Sequence, residues 1–137
     1  MKKAPFGFVL LALDSLELRI KPMFGAFAIF HEDIILMILR KKISADLDTG
    51  VWIAIPDQNI SEIKSIFPNL KDLTQFGVAP TPWQVIRESD ELFKETVLKF
   101  CELILIQDKR IGRLHITKAL KKKKMVIPKK IKVKDNQ

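Results

Sequence analysis

Cysteine, histidine, glycine and tyrosine are all scarce in this 137-residue chain: it has one cysteine, Cys101, two histidines, His31 and His115, five glycines and no tyrosine. A single cysteine excludes an intramolecular disulfide and fits a reducing compartment. Two histidines and one cysteine cannot fill a structural zinc site of four nitrogen and sulfur ligands within one chain. The glycines form neither a phosphate loop nor a dinucleotide fingerprint. Ser15, Ser44, Ser61, Ser65 and Ser89 all lie outside any Gly-x-Ser-x-Gly context. Nowhere do 18 apolar residues run uninterrupted, so no transmembrane helix is expected. Lys2 and Lys3 before the apolar residues 6–13 imitate a signal peptide. That run is short, Asp14 follows it, and no small-x-small cleavage site precedes Glu17, so the cytoplasm is the expected location.

The formal charge of +8 looks like a nucleic-acid signal until it is placed. Through Thr117 there are 15 Lys or Arg and 15 Asp or Glu, which cancel. Residues 118–137 carry nine Lys and one Asp, so the whole excess lies there. The chain therefore divides into one neutral domain, residues 1–117, and a basic tail, residues 118–137, predicted to be disordered by charge repulsion and the lack of a bulky apolar face. The tail lysines Lys121, Lys122, Lys123, Lys124, Lys129 and Lys130 are candidates for weak, salt-sensitive, sequence-independent binding of nucleic-acid phosphates. They lack the interleaved aromatics that base stacking needs. A solubilising terminus is the other reading.

What is present in quantity is apolar patterning, 47% of the residues. Two dense apolar runs, residues 24–30 and 34–39, are parted only by His31-Glu32-Asp33, which predicts a hairpin. The second run is apolar on both faces and should be covered on both sides. Residues 6–16, after Pro5, read as a first helix. Residues 17–20 alternate as a short strand that Lys21-Pro22 should interrupt or end. Residues 51–55, closed by Pro56, make the next strand. Asn59 and Glu62 suggest a capping box opening a helix to Phe67, with Ile60, Ile63, Ile66 and Phe67 on one face. Residues 70–76 are ambiguous between a short strand and a turn. Residues 77–82 hold two prolines and read as a rigid loop, and residues 83–86 as a strand. Ser89, Asp90 and Glu91 supply an N-cap and acidic first turn for a long helix, residues 90–107, whose apolar stripe includes Phe93, Val97, Phe100, Cys101 and Ile104. The fold class is thus α+β: an antiparallel sheet of about four strands with three helices packed on it, in the order α-β-β-β-α-β-α.

Met23-Phe24-Gly25, followed by a small residue and a strand ending in an aromatic, resembles the TfoX N-terminal-domain-like family. These are small bacterial α+β domains, some of them linked to competence regulation. The likeness spans residues 5–112 and includes the closing long helix after Trp83-Gln84-Val85-Ile86. It departs at Ala26, where the family has a second glycine, and at Pro22, where it has a basic residue. The MmcQ/YjbR-like proteins, proposed as DNA-binding, are a second similar group. The resemblance implies fold far more than function; taken with the missing catalytic set, it makes a non-enzymatic binding or regulatory domain the expectation, with a protein or small ligand as partner and a homodimer compatible.

No residue set satisfies a catalytic or metal-binding pattern, and no cofactor is expected. His31-Glu32-Asp33 offers a base and two carboxylates, but adjacent strand-end residues point apart, and a solvated turn is the simpler reading. Cys101 falls in an apolar stripe, as a small core residue does. Gly25 within an apolar run suggests a bulge or close backbone approach, by a helix over Ala26 and Ala28 or by a ligand. Trp83, after the proline-rich loop, either plugs the core or displays itself for binding. Gly77, Thr81, Trp83 and Gln84 are the candidate pocket rim, where an enzyme with an unrecognised site is the third alternative.

Overall fold

The computed structural model describes residues 3–23, 25–42, 46–74 and 83–114. The element order is α1 (Gly7–Ala12), β1 (Arg19–Met23), β2 (Ala26–His31), β3 (Ile34–Arg40), β4 (Gly50–Ala54), a 3-10 turn (Asp57–Asn59), α2 (Ile60–Ile66), β5 (Lys71–Asp72), β6 (Trp83–Arg87), α3 (Phe93–Leu105) and β7 (Arg113–Leu114). The class is α+β, and the order of elements is roughly the one expected. The sheet is wider than four strands, because β1, β5 and β7 join it. Seven antiparallel strands run in the order β1-β2-β3-β4-β6-β5, with β7 on β3. β4 pairs with β3 from Met37 to Arg40, and β7 takes Ile34 and Ile35 further along the same strand.

β3 is buried from Ile35 through Arg40, as its two-sided apolarity requires. Ile29 pairs with Met37 while Phe30 pairs with Ile35, so Leu36 is the extra residue of a bulge. The bulge puts both Leu36 and Met37 into the core on one face, with Ile29, Val51, Ile53 and Ile86. All three helices contribute to that face: Val9 from α1, Ile63 from α2, and Val97, Phe100, Cys101 and Ile104 from α3. Phe100 meets Phe67 at 4.2 Å between ring centroids. Ala26, Ala28, Phe30, Ile35, Ile38, Trp52, Ala54 and Val85 form the core of the other face, joined by Leu73, Met23 and Trp83. No described helix residue belongs to it, so among the described residues the small side chains Ala26 and Ala28 receive aromatic and aliphatic side chains and not a helix.

Several boundaries differ from the sequence reading for identifiable reasons. α1 stops at Ala12, not residue 16, since Asp14 and Ser15 favour turn hydrogen bonding. β1 runs straight through Pro22, which pairs with Phe27. Its outer edge has no strand neighbour among the described residues, so a missing N–H there is tolerated. Gly25 lies between β1 and β2 at φ +75°, and a Cβ there would meet nothing nearer than Lys42 Nζ at 3.5 Å. It is a turn glycine, required for its backbone conformation and not for close packing. The Asn59 side chain makes no capping bond, because the 3-10 turn already leads into α2. Ile66 is exposed, leaving Ile63 and Phe67 to hold α2. α3 starts at Phe93 because Asp90 Oδ1 accepts the Leu92 N–H and closes a turn first. No helix among the described residues is long and apolar enough to cross a membrane.

Candidate functional site

A cleft of about 340 Å³ opens on the helix-bearing side, between the β2–β3 turn and the C-terminal end of α3. Its floor is aliphatic: Leu16, Ile34, Leu36, Ile104 and Ile111. Its rim is polar and of mixed charge: His31, Glu32, Gln107, Asp108 and Lys109. An apolar floor with a few converging polar groups is the usual build of a small-molecule site, and the volume lies at the lower end of that class.

The end of α3 shapes one wall. Gln107 N–H donates to Ile104 O at 2.9 Å and Asp108 N–H to Leu103 O at 3.0 Å, with Gln107 at φ 57°. This is the Schellman arrangement, with glutamine at the position where glycine is usual. The Asp108 carboxylate is then occupied. It accepts from Arg110 N at 2.9 Å, Nε at 3.0 Å and Nη2 at 2.7 Å. The Arg110 guanidinium holds the Asp108 carboxyl below the usual carboxylate range. Arg110 Nη1 also donates to Glu62 Oε2 at 2.8 Å, tying this loop to α2. Gly112 closes the floor. Its N–H donates to Ala54 O at 2.7 Å, and a Cβ would stand 2.6 Å from Ile34 Cγ2. With φ at +99°, the position accepts only glycine without displacement.

The opposite wall is the hairpin end. His31 Nδ1 lies 3.0 Å from Glu17 O. A carbonyl only accepts, so Nδ1 carries the proton, and in the neutral ring Nε2 is the acceptor. Arg19 Nη2 donates to Glu32 O at 3.1 Å, holding a turn in which Glu32 has φ 54°. Among the described residues, the rim offers one histidine without an acid partner, an aspartate spent on arginine, and no Ser, Thr or Cys. It can bind by hydrogen bonds and charge, and its described residues include no nucleophile–base pair.

A second polar cluster is structural. Arg40, 4% exposed, donates to both Asp46 oxygens at 2.8 and 2.9 Å. That guanidinium holds the Asp46 carboxyl down to about 2. Asp48 Oδ1 accepts from Thr74 N at 2.9 Å and Oδ2 from Thr74 Oγ1 at 3.0 Å, and Asp48 O accepts from Trp52 Nε1 at 2.8 Å. These contacts stitch the β3–β4 connection to the sheet. No group of three or more His, Cys, Asp or Glu among the described residues could hold a metal ion.

The residues singled out in the sequence are dispersed. Trp83 and Gln84 are successive on β6 and so face opposite sides of the sheet. Trp83 packs half-buried on the second core, 6.2 Å from Trp52 between centroids. Gln84 is buried, with Nε2 donating to Asp72 Oδ1 at 2.9 Å and Oε1 buried without a partner among the described residues. These two do not form one rim. Gly77 and Thr81 lie outside the described residues, as do Phe24 and the lysines 121–124, 129 and 130. Met23 ends β1 and flanks the second core. Cys101 is buried in the first core, where desolvation pushes its thiol up to about 12.

His31 and Glu32, read from the sequence as a solvated turn, and residues 107–112, read only as a helix ending, are what line the cleft. The missed signal is Gln-Asp where a helix stop would carry glycine. Set against family models, curated proteins and solved structures, the chain matches none.

Proposed function

We propose that the chain is a non-enzymatic binding or regulatory domain, cytoplasmic and of the TfoX N-terminal kind, that takes a small amphipathic ligand in the cleft beside His31 and Glu32. The observation that supports this is the pairing of an aliphatic floor with a rim of open polar groups. The rim's chemistry favours holding over turnover, since Asp108 is neutralised by Arg110 and no nucleophile among the described residues lines the cleft beside His31. The Met23-Phe24-Gly25 resemblance points the same way. Backbone-amide NMR of the full chain, titrated with a library of small amphipathic fragments, tests the reading. Shifts are expected at Glu32 and across residues 107–112. Fragments that shift only Trp83 and its neighbours, or a turnover reaction catalysed by the purified chain, would overturn it.

A second reading rests on charge. Nine lysines against one aspartate in residues 118–137 suit weak contact with nucleic-acid phosphates. Replacing Lys121, Lys122, Lys123, Lys124, Lys129 and Lys130 with glutamine in the full chain should flatten the salt dependence of duplex binding, by about 0.9 in log–log slope for each phosphate that is no longer neutralised. An unchanged slope sinks this reading and leaves the cleft untouched.

A further inference from the structure

Two side chains on the cleft rim stand where glycine would fit the backbone better. Among the described residues, three non-glycine residues have left-handed φ: Phe6, Glu32 and Gln107. The last two both line the cleft. Glu32 lies in a two-residue turn between β2 and β3, a place dominated by glycine, asparagine and aspartate. Gln107 lies just past the end of α3, where glycine is usual. The fold does not use either side chain: neither the Glu32 carboxylate nor the Gln107 amide makes a hydrogen bond or ion pair with a described residue. Backbone conformations that cost energy and present unused polar groups to one cavity are the pattern of a binding site.

The rim's charges narrow the ligand. Asp108 is compensated by Arg110. Glu32 and Lys109 are then the rim charges without an ion-pair partner among the described residues, one negative and one positive. The same rim carries hydrogen-bonding groups, the His31 ring and the Gln107 amide, and the floor is made of branched aliphatic side chains. A singly charged ligand would engage only one of the two rim charges, both of which are exposed to water in the free protein. A molecule carrying an ammonium, a carboxylate and a short hydrocarbon satisfies all three parts.

We infer that the cleft binds an aliphatic α-amino acid as its zwitterion, with the ammonium at Glu32, the carboxylate at Lys109 and the side chain on the Leu16, Ile34, Leu36, Ile104 and Ile111 floor. This rests on reading the cleft as a ligand site. The test is calorimetry of the full-length protein with L-leucine and with two analogues that each keep one charge, 4-methylpentanoate and 3-methylbutylamine. Leucine should bind saturably, and each analogue should bind at least about tenfold more weakly. Glu32→Gly and Lys109→Gln should each weaken leucine by about tenfold, and Glu32→Gly should do so without lowering the melting temperature. A lowered melting temperature would show that the side chain holds the fold. An analogue binding as well as leucine, a variant binding leucine like the native chain, or no saturable binding up to about 10 mM leucine would each overturn the zwitterion assignment. The fragment-shift experiment would still decide whether the cleft binds anything, so the two failures remain distinct.

Discussion

Replacing Gln107 with glycine should stabilise the protein, an uncommon direction for a substitution at a site that binds. A left-handed backbone costs an L-residue about 1–2 kcal/mol. Glycine removes that cost but loses about 0.5–1 kcal/mol through its freer unfolded chain. The Gln107 side chain is exposed and makes no hydrogen bond to a described residue, so nothing else is given up. The Schellman bonds from Gln107 N–H and Asp108 N–H use only backbone and survive. The net gain is therefore about 0.5–1 kcal/mol, or roughly 2–4 °C in melting temperature for a chain of this size. Gln107→Ala keeps the left-handed cost and should shift stability by less than about 0.5 kcal/mol. Thermal and urea unfolding followed by circular dichroism reads all three proteins. A loss of stability in Gln107→Gly, or equal gains in the glycine and alanine variants, would refute the reasoning, because the side chain or its helix propensity would then be what matters.

Among the carboxylates held below their ordinary range, Asp46 is held lowest, so acid should weaken the fold most through it. Its carboxyl lies at about 2 when folded against an ordinary 3.8, so the unfolded chain takes up the proton first as pH falls. The stability it contributes is present above about pH 4 and is lost on the way to about pH 2. Asp46 is 45% exposed on its side chain, so the loss should be about 1 kcal/mol in unfolding titrations, after solvent screening. Asp46→Asn, which leaves the buried Arg40 guanidinium without its partner charge, should cost about 2 kcal/mol at neutral pH and abolish that acid step; an acid step of unchanged size in the variant would contradict this. Cys101, buried and with its thiol pushed up to about 12, should react with an aromatic disulfide reagent only as the protein unfolds. Fast native-state labelling would show that α3 packs differently. Gln84→Met removes a buried oxygen with no partner among the described residues but also the Nε2 bond to Asp72, whose carboxylate stays exposed to water, so denaturant unfolding should place it within about 1 kcal/mol of the native chain.

The parts of the fold legible in the sequence are those written as periodicity. Residues 34–39 announce a strand buried on both faces, and the stripe through Val97, Phe100, Cys101 and Ile104 announces α3. Less legible is anything decided by tertiary pairing. Pro22 reads as a strand breaker until β1 is known to be an edge, and Leu36 gives no sign that it bulges. The two-residue strands β5 and β7 are too short for any pattern. Helix starts depart from the sequence in a consistent way: Asn59 and Ser89 have the chemistry of caps, but a 3-10 turn and an Asp90 turn come first. The cleft is least legible because its walls come from residues 16, 31–36 and 104–112, far apart along the chain and individually ordinary. Trp83 and Gln84 draw notice as neighbours in sequence, yet adjacency along a strand separates side chains to opposite faces.

The central claim is that a small ligand sits on the aliphatic floor beneath His31, Glu32 and Gln107. Intermolecular NOEs between a bound amphipathic fragment and the methyl groups of the full-length, methyl-labelled protein test it most directly. Contacts to Leu16, Ile34, Leu36, Ile104 and Ile111 are expected. Contacts instead to Ala28, Ile38, Ala54 and Val85, on the other face of the sheet, would contradict it.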